Sequence, residues 1–277
     1  MYSDTSYIVV IPARNEERYL GKTLNSVINQ TVQPSACVVV DNDSVDGTSD
    51  VCRNYLSKVK YVKISLDHEI VGHRQAISVM EGVKLATDLN PNWKYILKQD
   101  ADVELTPNYV ETLISAMEED HNLGICVGYP PSERIKKLYD SAKLYRRECW
   151  DQIGGLQLCV AHDIFAVLLA NQNGWKVRII PEAFFKDLRP SKYTFSRWVY
   201  VGFSRRAHRF PLIYTVLAAL KNILSGHSFI IGPITMVLAH LLSSYKIKEL
   251  DPESVKRYAL EEIKMYWKQY MRGVEST

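Results

Sequence analysis

The stretch WKYILKQDADVEL, residues 93–105, opens as a buried strand and ends in two carboxylates, Asp100 and Asp102, separated only by Ala101. Tyr95, Ile96 and Leu97 form the short apolar run of a strand covered on both faces. Two like charges so close repel each other, and a divalent cation bridging a diphosphate relieves that repulsion with oxygen ligands of suitable hardness. A solvated polar turn is the alternative. The neighbouring elements decide between them.

Upstream, the same pattern recurs three times. SYIVVIPA (6–13) is a continuous apolar run stopped by Pro12, and Leu20, Leu24, Val27 and Ile28 follow at helical spacing. ACVVVDN (36–42) repeats the β-branched run, ends in Asp41 and leads into the helical GTSDVCRNYLSK. VKYVKIS is a third strand, and RQAISVMEGVKLATDL an amphipathic helix before the 93–105 stretch, which is taken here as one fourth strand. Thr106-Pro107 then fit a helix N-cap and first position before NYVETLISAMEE. Alternation of this kind predicts a parallel, doubly wound sheet over residues 6–120, with ligands bound beyond the carboxyl ends of the strands. Arg14, Asn15 and Glu16, then Asp41 and Asp43, then Asp100 and Asp102 all follow strands, so they are expected to line one crevice.

Downstream, SERIKKLYDSAKLYRRECWDQIGG (132–155) is read as helical before Gly154-Gly155, HDIFAVLLANQNGW as a helix closed by Gly174, and KVRIIPEA as a strand. No internal repeat is found. An EF-hand loop starting at Asp41 fails, because Val45, Asp46 and Cys52 stand where an oxygen ligand, glycine and glutamate are required.

Composition sets the outer bounds. A chain of 277 residues with 47% hydrophobic and 23% charged residues can bury a full core and is not of disordered type. A formal charge of +3 is too small to imply nucleic acid as a partner. The five cysteines are scattered, odd in number and form no C-x-x-C pair, which argues against zinc or a disulfide framework. The apolar run after the N-terminus is too short for a signal-peptide core, so a cytoplasmic location is expected.

Taken in order, IPARNEERYLGKTLNSVINQT, VVVDNDSVDGT and KQDADVEL resemble the inverting family-two glycosyltransferases of GT-A fold, including dolichyl-phosphate mannose synthase-like and polysaccharide-type enzymes. The three motifs are similar to that family's P-x-x-N-E, D-D-x-S-x-D-G-T and D-x-D, and the resemblance covers about residues 6–190. It implies a Rossmann-like α/β catalytic domain over 1–195, with a nucleotide-binding half (1–105) and an acceptor half (106–195), followed by a helical extension (196–277). It also implies a nucleotide-diphosphate sugar as donor, GDP-mannose or a UDP-sugar, and Mn²⁺ or Mg²⁺ as cofactor.

Carried over by position, Pro12, Ala13, Arg14 and Glu16 line the nucleotide pocket, Asp41 lies near the base with Asp43 beside it, and Asp100 lies over the ribose and diphosphate. Asp102 ligates the metal. His73 and Arg74 open a helix facing the diphosphate, a surface histidine being the alternative for His73. Asp163 stands where the family places its general base, while His162 replaces the usual glutamate. For Asp163 a helix N-cap is the structural alternative. TFSRW (194–198) resembles the Q-x-x-R-W element of processive synthases with Thr194 in place of glutamine. Arg189 is expected near the diphosphate, and Arg197 and Trp198 near a glycan or lipid-linked acceptor.

Residues 211–245 are apolar and contain no acid, but Gly232-Pro233 interrupts them and each run is shorter than a membrane span. Flanking Arg205, Arg206, Arg209, Lys246 and Lys248 fit interfacial helices at the cytoplasmic face of an anionic membrane, with contact through 196–245. A buried hairpin or the interface of a homo-oligomer are the alternatives. DPESVKRYALEEIKMYWKQYMRG, starting at Asp251-Pro252, reads as a charged surface helix. The rival functions are a sugar nucleotidyltransferase, disfavoured because IPARNEE has no glycine, and a non-catalytic nucleotide-sugar-binding membrane protein.

Overall fold

The computed structural model describes residues 6–66, 71–131, 138, 140–189, 194–224 and 230–275, of which 71–72, 224 and 266–275 by backbone only. The chain divides into two compact units, Met1–Pro190 and Ser191–Thr277, a few residues before the boundary expected from the sequence.

In the first unit the predicted alternation forms β1 (Tyr7–Ala13), α1 (Leu20–Ile28), β2 (Ala36–Asn42), α2 (Thr48–Arg53), β3 (Lys60–Ile64), α3 (Val71–Leu89) and β4 (Tyr95–Gln99). β3, β2, β1 and β4 lie side by side and parallel. Val38 to Val40 and Ile8 to Ile11 are fully buried, as strands covered on both faces must be. The register pairs Ala13 with Asp41, so β1 and β2 end level with each other. Helix α3 lies directly on them. A Cβ at Gly82 would stand 2.3 Å from Val10 Cγ1, so only glycine allows that approach.

The 93–105 stretch is not one strand. β4 stops at Gln99, and a separate strand, β5 (Val103–Leu105), starts after the two aspartates. β5 pairs antiparallel with the end of β8 (Lys176–Asp187) at the far edge of the sheet. Helix α4 (Tyr109–Glu119) follows, its cap position held by Asn108 and not Thr106.

The expected helix over 132–155 is also corrected. Residues 132–137 and 139 lie outside the described residues. The remainder is a strand, β7 (Ala142–Arg146), and a short helix, α5 (Arg147–Ile153), ending on left-handed Gly154. β7 lies antiparallel between β4 and a strand with no sequence-based counterpart, β6 (Leu123–Tyr129). Its lysine, tyrosine and arginine side chains are buried along with Ala142 and Leu144, so polar residues break the apolar run that marks a strand covered on both faces. Helix α6 (His162–Gln172) precedes β8, and Gly174 between them has a positive φ. The sheet is thus mostly parallel with an antiparallel insertion.

The second unit is helical: α7 (Phe195–Ala207), α8 (Leu212–Leu224), α9 (Ile231–Leu242) and α10 (Pro252–Glu275). Asp251 caps α10 by accepting from the backbone and hydroxyl of Ser254. Trp198 packs with Ala219 and Met236 in this unit's core. Among the described residues no helix is long and apolar enough to cross a membrane.

Candidate active site

The site begins where β1, β2 and β4 end. Past β1, Asn15 takes a left-handed conformation, as does Asp43 past β2; asparagine and aspartate tolerate this better than other non-glycine residues. The two turns are tied together. Asn15 N donates to Ser44 Oγ, Val45 N to Asn15 Oδ1, Glu16 N to Thr48 Oγ1, and Gly47 N to Glu17 Oε2, at 2.8–3.0 Å.

Asp41 is fully buried inside this lacing. Its Oδ1 accepts from Ser44 N and Oγ, and its Oδ2 from Tyr61 Oη at 2.7 Å. Here Asp41 shapes the turn. Asp43 is the outward carboxylate, a third exposed and 3.5 Å from Lys63. Pro12 is half-buried, Ala13 buried and Arg14 exposed at the same strand end.

The Asp100-Ala101-Asp102 turn is held through its backbone by three elements. Asp100 N donates to Ser141 O beside β7, Leu188 N donates to Asp102 O beyond β8, and Thr23 Oγ1 of α1 donates to Ala101 O. The two carboxylates therefore diverge. Asp100 meets Lys98 Nζ at 2.6 Å and Gln75 Nε2 of α3 at 3.3 Å. Asp102 meets Arg189, whose Nε donates to its Oδ2 at 2.8 Å and whose Nη2 donates to Glu16.

Beneath Asp100 lies a buried charge cluster that sequence reasoning missed. Lys98 and Lys143 sit directly opposite each other on β4 and β7, both buried. Asp140 joins them, 2.6 Å from Lys98 and 3.3 Å from Lys143. Burial pushes the Asp100 carboxyl up to about 7, against the pull of Lys98 and helped by the charge on Asp140. Burial works the same way on Asp140, but Lys98, Lys143 and His162 outweigh it and hold that carboxyl below the usual range. A lysine inside the apolar run YILKQ was the available signal, since a buried ammonium requires partners.

His162 opens α6 and is 4% exposed, and among the described residues neither ring nitrogen has a hydrogen-bond partner. Burial lowers its pKa, against the pull of the Asp140 and Asp163 carboxylates. Asp163 follows in the first turn. The cap position is Ala161, with no side-chain bond, so the N-cap role considered for Asp163 is not realised. Its carbonyl accepts from Lys143 Nζ at 3.4 Å. His73 and Arg74 lie half-buried in the first turn of α3, the helix that brings Gln75 to Asp100. Arg197 and Trp198 belong to the second unit: Arg197 is exposed on α7, and Trp198 is one of that unit's core residues.

The donor chemistry suits a hard divalent ion. Asp102 and Glu16 are carboxylates already drawn onto one cation, and burial and the charge on Asp102 both raise Glu16. Among the described residues no three acidic, histidine or cysteine side chains could hold an ion unaided. Mg²⁺ and Mn²⁺ sites of one or two carboxylates are completed by substrate phosphates, and this set fits that type.

Comparison with solved structures gives the class first. The chain aligns in full with the mannosyltransferase PcManGT from Pyrobaculum calidifontis, in complex with GDP-Man and Mn²⁺, over 77% of that chain, with TM-score 0.58 and 16% identity. Residues 1–349 of S. aureus TarS in complex with UDP-GlcNAc align over 85% of this chain and 71% of theirs, with TM-score 0.52 and 15% identity. The fold is the glycosyltransferase GT-A type. The particular family follows from the sequence: the model described as "Glycosyl transferase family 2" matches residues 8–171, and the chain belongs to that family. Similar proteins include validoxylamine A glucosyltransferase of Streptomyces hygroscopicus subsp. limoneus, 34% identical over 47% of this chain and 29% of that protein. The 4,4'-diaponeurosporenoate glycosyltransferase of Staphylococcus aureus (strain bovine RF122 / ET3-1) is 30% identical over 60% of this chain and 40% of its own length. The chain thus spans less than half the length of these curated relatives.

Proposed function

We propose that this chain transfers a sugar from a nucleotide-diphosphate donor, GDP-mannose or a UDP-sugar, to a hydroxyl of a glycan or lipid-linked acceptor by single displacement with inversion. The observation that carries the reading is the divergence of Asp100 and Asp102 at the carboxyl ends of the parallel strands. One carboxylate is built into the buried charge cluster, while the other is turned to the surface with Glu16.

Asp102 would hold Mn²⁺ or Mg²⁺, which when bound offsets the charge that develops on the departing diphosphate, with Glu16 beside it in the nucleotide pocket. Asp43, Arg14 and the laced turns would seat the nucleotide, with Pro12 and Ala13 forming the floor at the end of β1. Arg74 and His73, in the first turn of α3, would add donors and positive potential toward the phosphates. Asp163, which is not used as a cap, would take the acceptor hydroxyl's proton as attack proceeds. His162 would present its buried imidazole beside it.

A lipid surface is proposed as the place of action, because four of the exposed large hydrophobic side chains among the described residues lie in the first unit and all the others in the second. Such clustering marks an interaction surface.

The test is a panel of UDP- and GDP-sugars with Mn²⁺, followed by NMR of the anomeric configuration of the product. Asp163→Asn is expected to bind donor as wild type does and to transfer about 10²–10⁴-fold more slowly. Wild-type transfer rates in Asp163→Asn, or retention of configuration, would overturn the assignment.

A further inference from the structure

Arg189 is fixed more firmly than its place beyond a strand end suggests. The bond from Leu188 N to Asp102 O at 2.8 Å continues the β5–β8 pairing and sets the next residue beside the Asp102 side chain. From there its Nε donates to Asp102 Oδ2 at 2.8 Å, its Nη2 donates to Glu16 Oε2, and its guanidinium carbon lies 5.3 Å from the centre of the Tyr19 ring. Three separate segments, the turn after β4, the turn after β1 and the start of α1, thus converge on one guanidinium. The cation stands on the two carboxylates best suited to a divalent ion.

We propose that Arg189 serves as resident counter-ion of the metal site, displaced from Asp102 by the divalent ion and retained by Glu16 for the diphosphate. The inference rests on the functional reading above and adds to it a competition built into the apo site. Asp102 and Glu16 need a cation between them to lie close together, and the planar fork of arginine supplies it in two directions. A divalent ion on Asp102 repels the guanidinium and takes over its carboxylate. The Nε–H so released, on a side chain still held by Glu16 and Tyr19, is a donor beside the bound ion, where a diphosphate oxygen needs one.

Mn²⁺ binding to the full chain, measured by electron paramagnetic resonance without nucleotide, tests this directly. Arg189→Gln is expected to bind Mn²⁺ roughly threefold more tightly, the scale of a partly exposed ion pair, and to bind UDP or GDP more weakly at saturating Mn²⁺. Arg189→Lys keeps the charge without the fork and should fall between the two. In ¹⁵N spectra of the arginine side chains, the Nε–H resonance that Arg189→Lys removes should shift when Mg²⁺ is added. Unchanged or weaker Mn²⁺ binding in Arg189→Gln, equality of Arg189→Lys with wild type, or a resonance that stays in place at saturating Mg²⁺ overturns the proposal. Asp102→Asn separates the two levels. Wild-type Mn²⁺ affinity in that variant refutes the metal assignment itself, whereas its loss there combined with no effect in Arg189→Gln refutes only the counter-ion.

Discussion

At the scale of single residues, the site is two charge systems divided by one turn. Asp102 shares a cation at the surface with Glu16, and Asp100 shares one in the interior with Asp140. The sequence made Asp100 and Asp102 legible, because two carboxylates at a strand end announce themselves by pattern. Lys98, Lys143 and Asp140 were not recovered, since their function is mutual: each is an oddity alone, and only the pairing of β4 with β7 brings them together. That mutual dependence makes a prediction. Lys98→Met leaves Asp100 and Asp140 facing each other without their shared cation, and is expected to cost about 3 kcal/mol of stability, as breaking a buried pair does. Urea unfolding should show a lower midpoint. Adding Asp140→Asn should restore part of the loss, and an additive or larger loss in the double variant would mean that the lysine acts by packing alone.

At the scale of elements, the parallel half of the sheet was readable because its strands are short apolar runs, each followed by a helical period. Its close packing makes a second prediction. Gly82→Ala places a methyl carbon against Val10 and Val40, so α3 must lift from the sheet, at an expected cost of about 1–3 kcal/mol. Because α3 also carries Gln75 to Asp100, donor affinity should fall together with the denaturation midpoint, and unchanged affinity in a destabilised protein would uncouple the two. The antiparallel half was not readable. β7 is buried on both faces yet carries Lys143, Tyr145 and Arg146 there, so it shows neither the alternation of a half-exposed strand nor the apolar run of a buried one.

Helices α8 and α9 meet at a buried polar pair, His240 Nδ1 and Thr215 Oγ1 at 2.9 Å. Burial first, then Arg206 and Arg205, push His240 down to about 4. Its folded pKa lies below the unfolded value of about 6.5, so between those two values the unfolded chain binds more protons and stability rises with pH. Acidification through that window should therefore destabilise the protein by up to about 3 kcal/mol at the low end. The slope of unfolding free energy against pH should flatten in His240→Gln. A slope unaltered by that substitution would place the acid sensitivity elsewhere.

At the scale of the whole molecule, the two units differ in what they show to solvent. On α9, Ile231, Ile234, Leu238 and Leu241 recur at helical spacing and each is about half exposed or more; Ile213, Leu217 and Leu220 do the same on α8. Residues 211–245 hold no acid, and arginines and lysines stand on either side. The apolar sequence announced such faces, yet it could not distinguish a buried hairpin from an interfacial one, because both have the same periodicity and only the exposure of the outer stripe separates them. If that stripe meets lipid, the full chain should sediment with anionic vesicles, more weakly as salt is raised, since each basic residue near the surface contributes about 1 kcal/mol of attraction. Ile234→Ser combined with Leu238→Ser removes two half-exposed chains. Each would contribute about 1 kcal/mol on insertion, half of a full burial, so vesicle affinity should fall roughly 30-fold while transfer to a soluble acceptor is unchanged. Loss of a dimer in sedimentation velocity, with vesicle binding intact, would instead show that these stripes cover one another in a second copy of the chain.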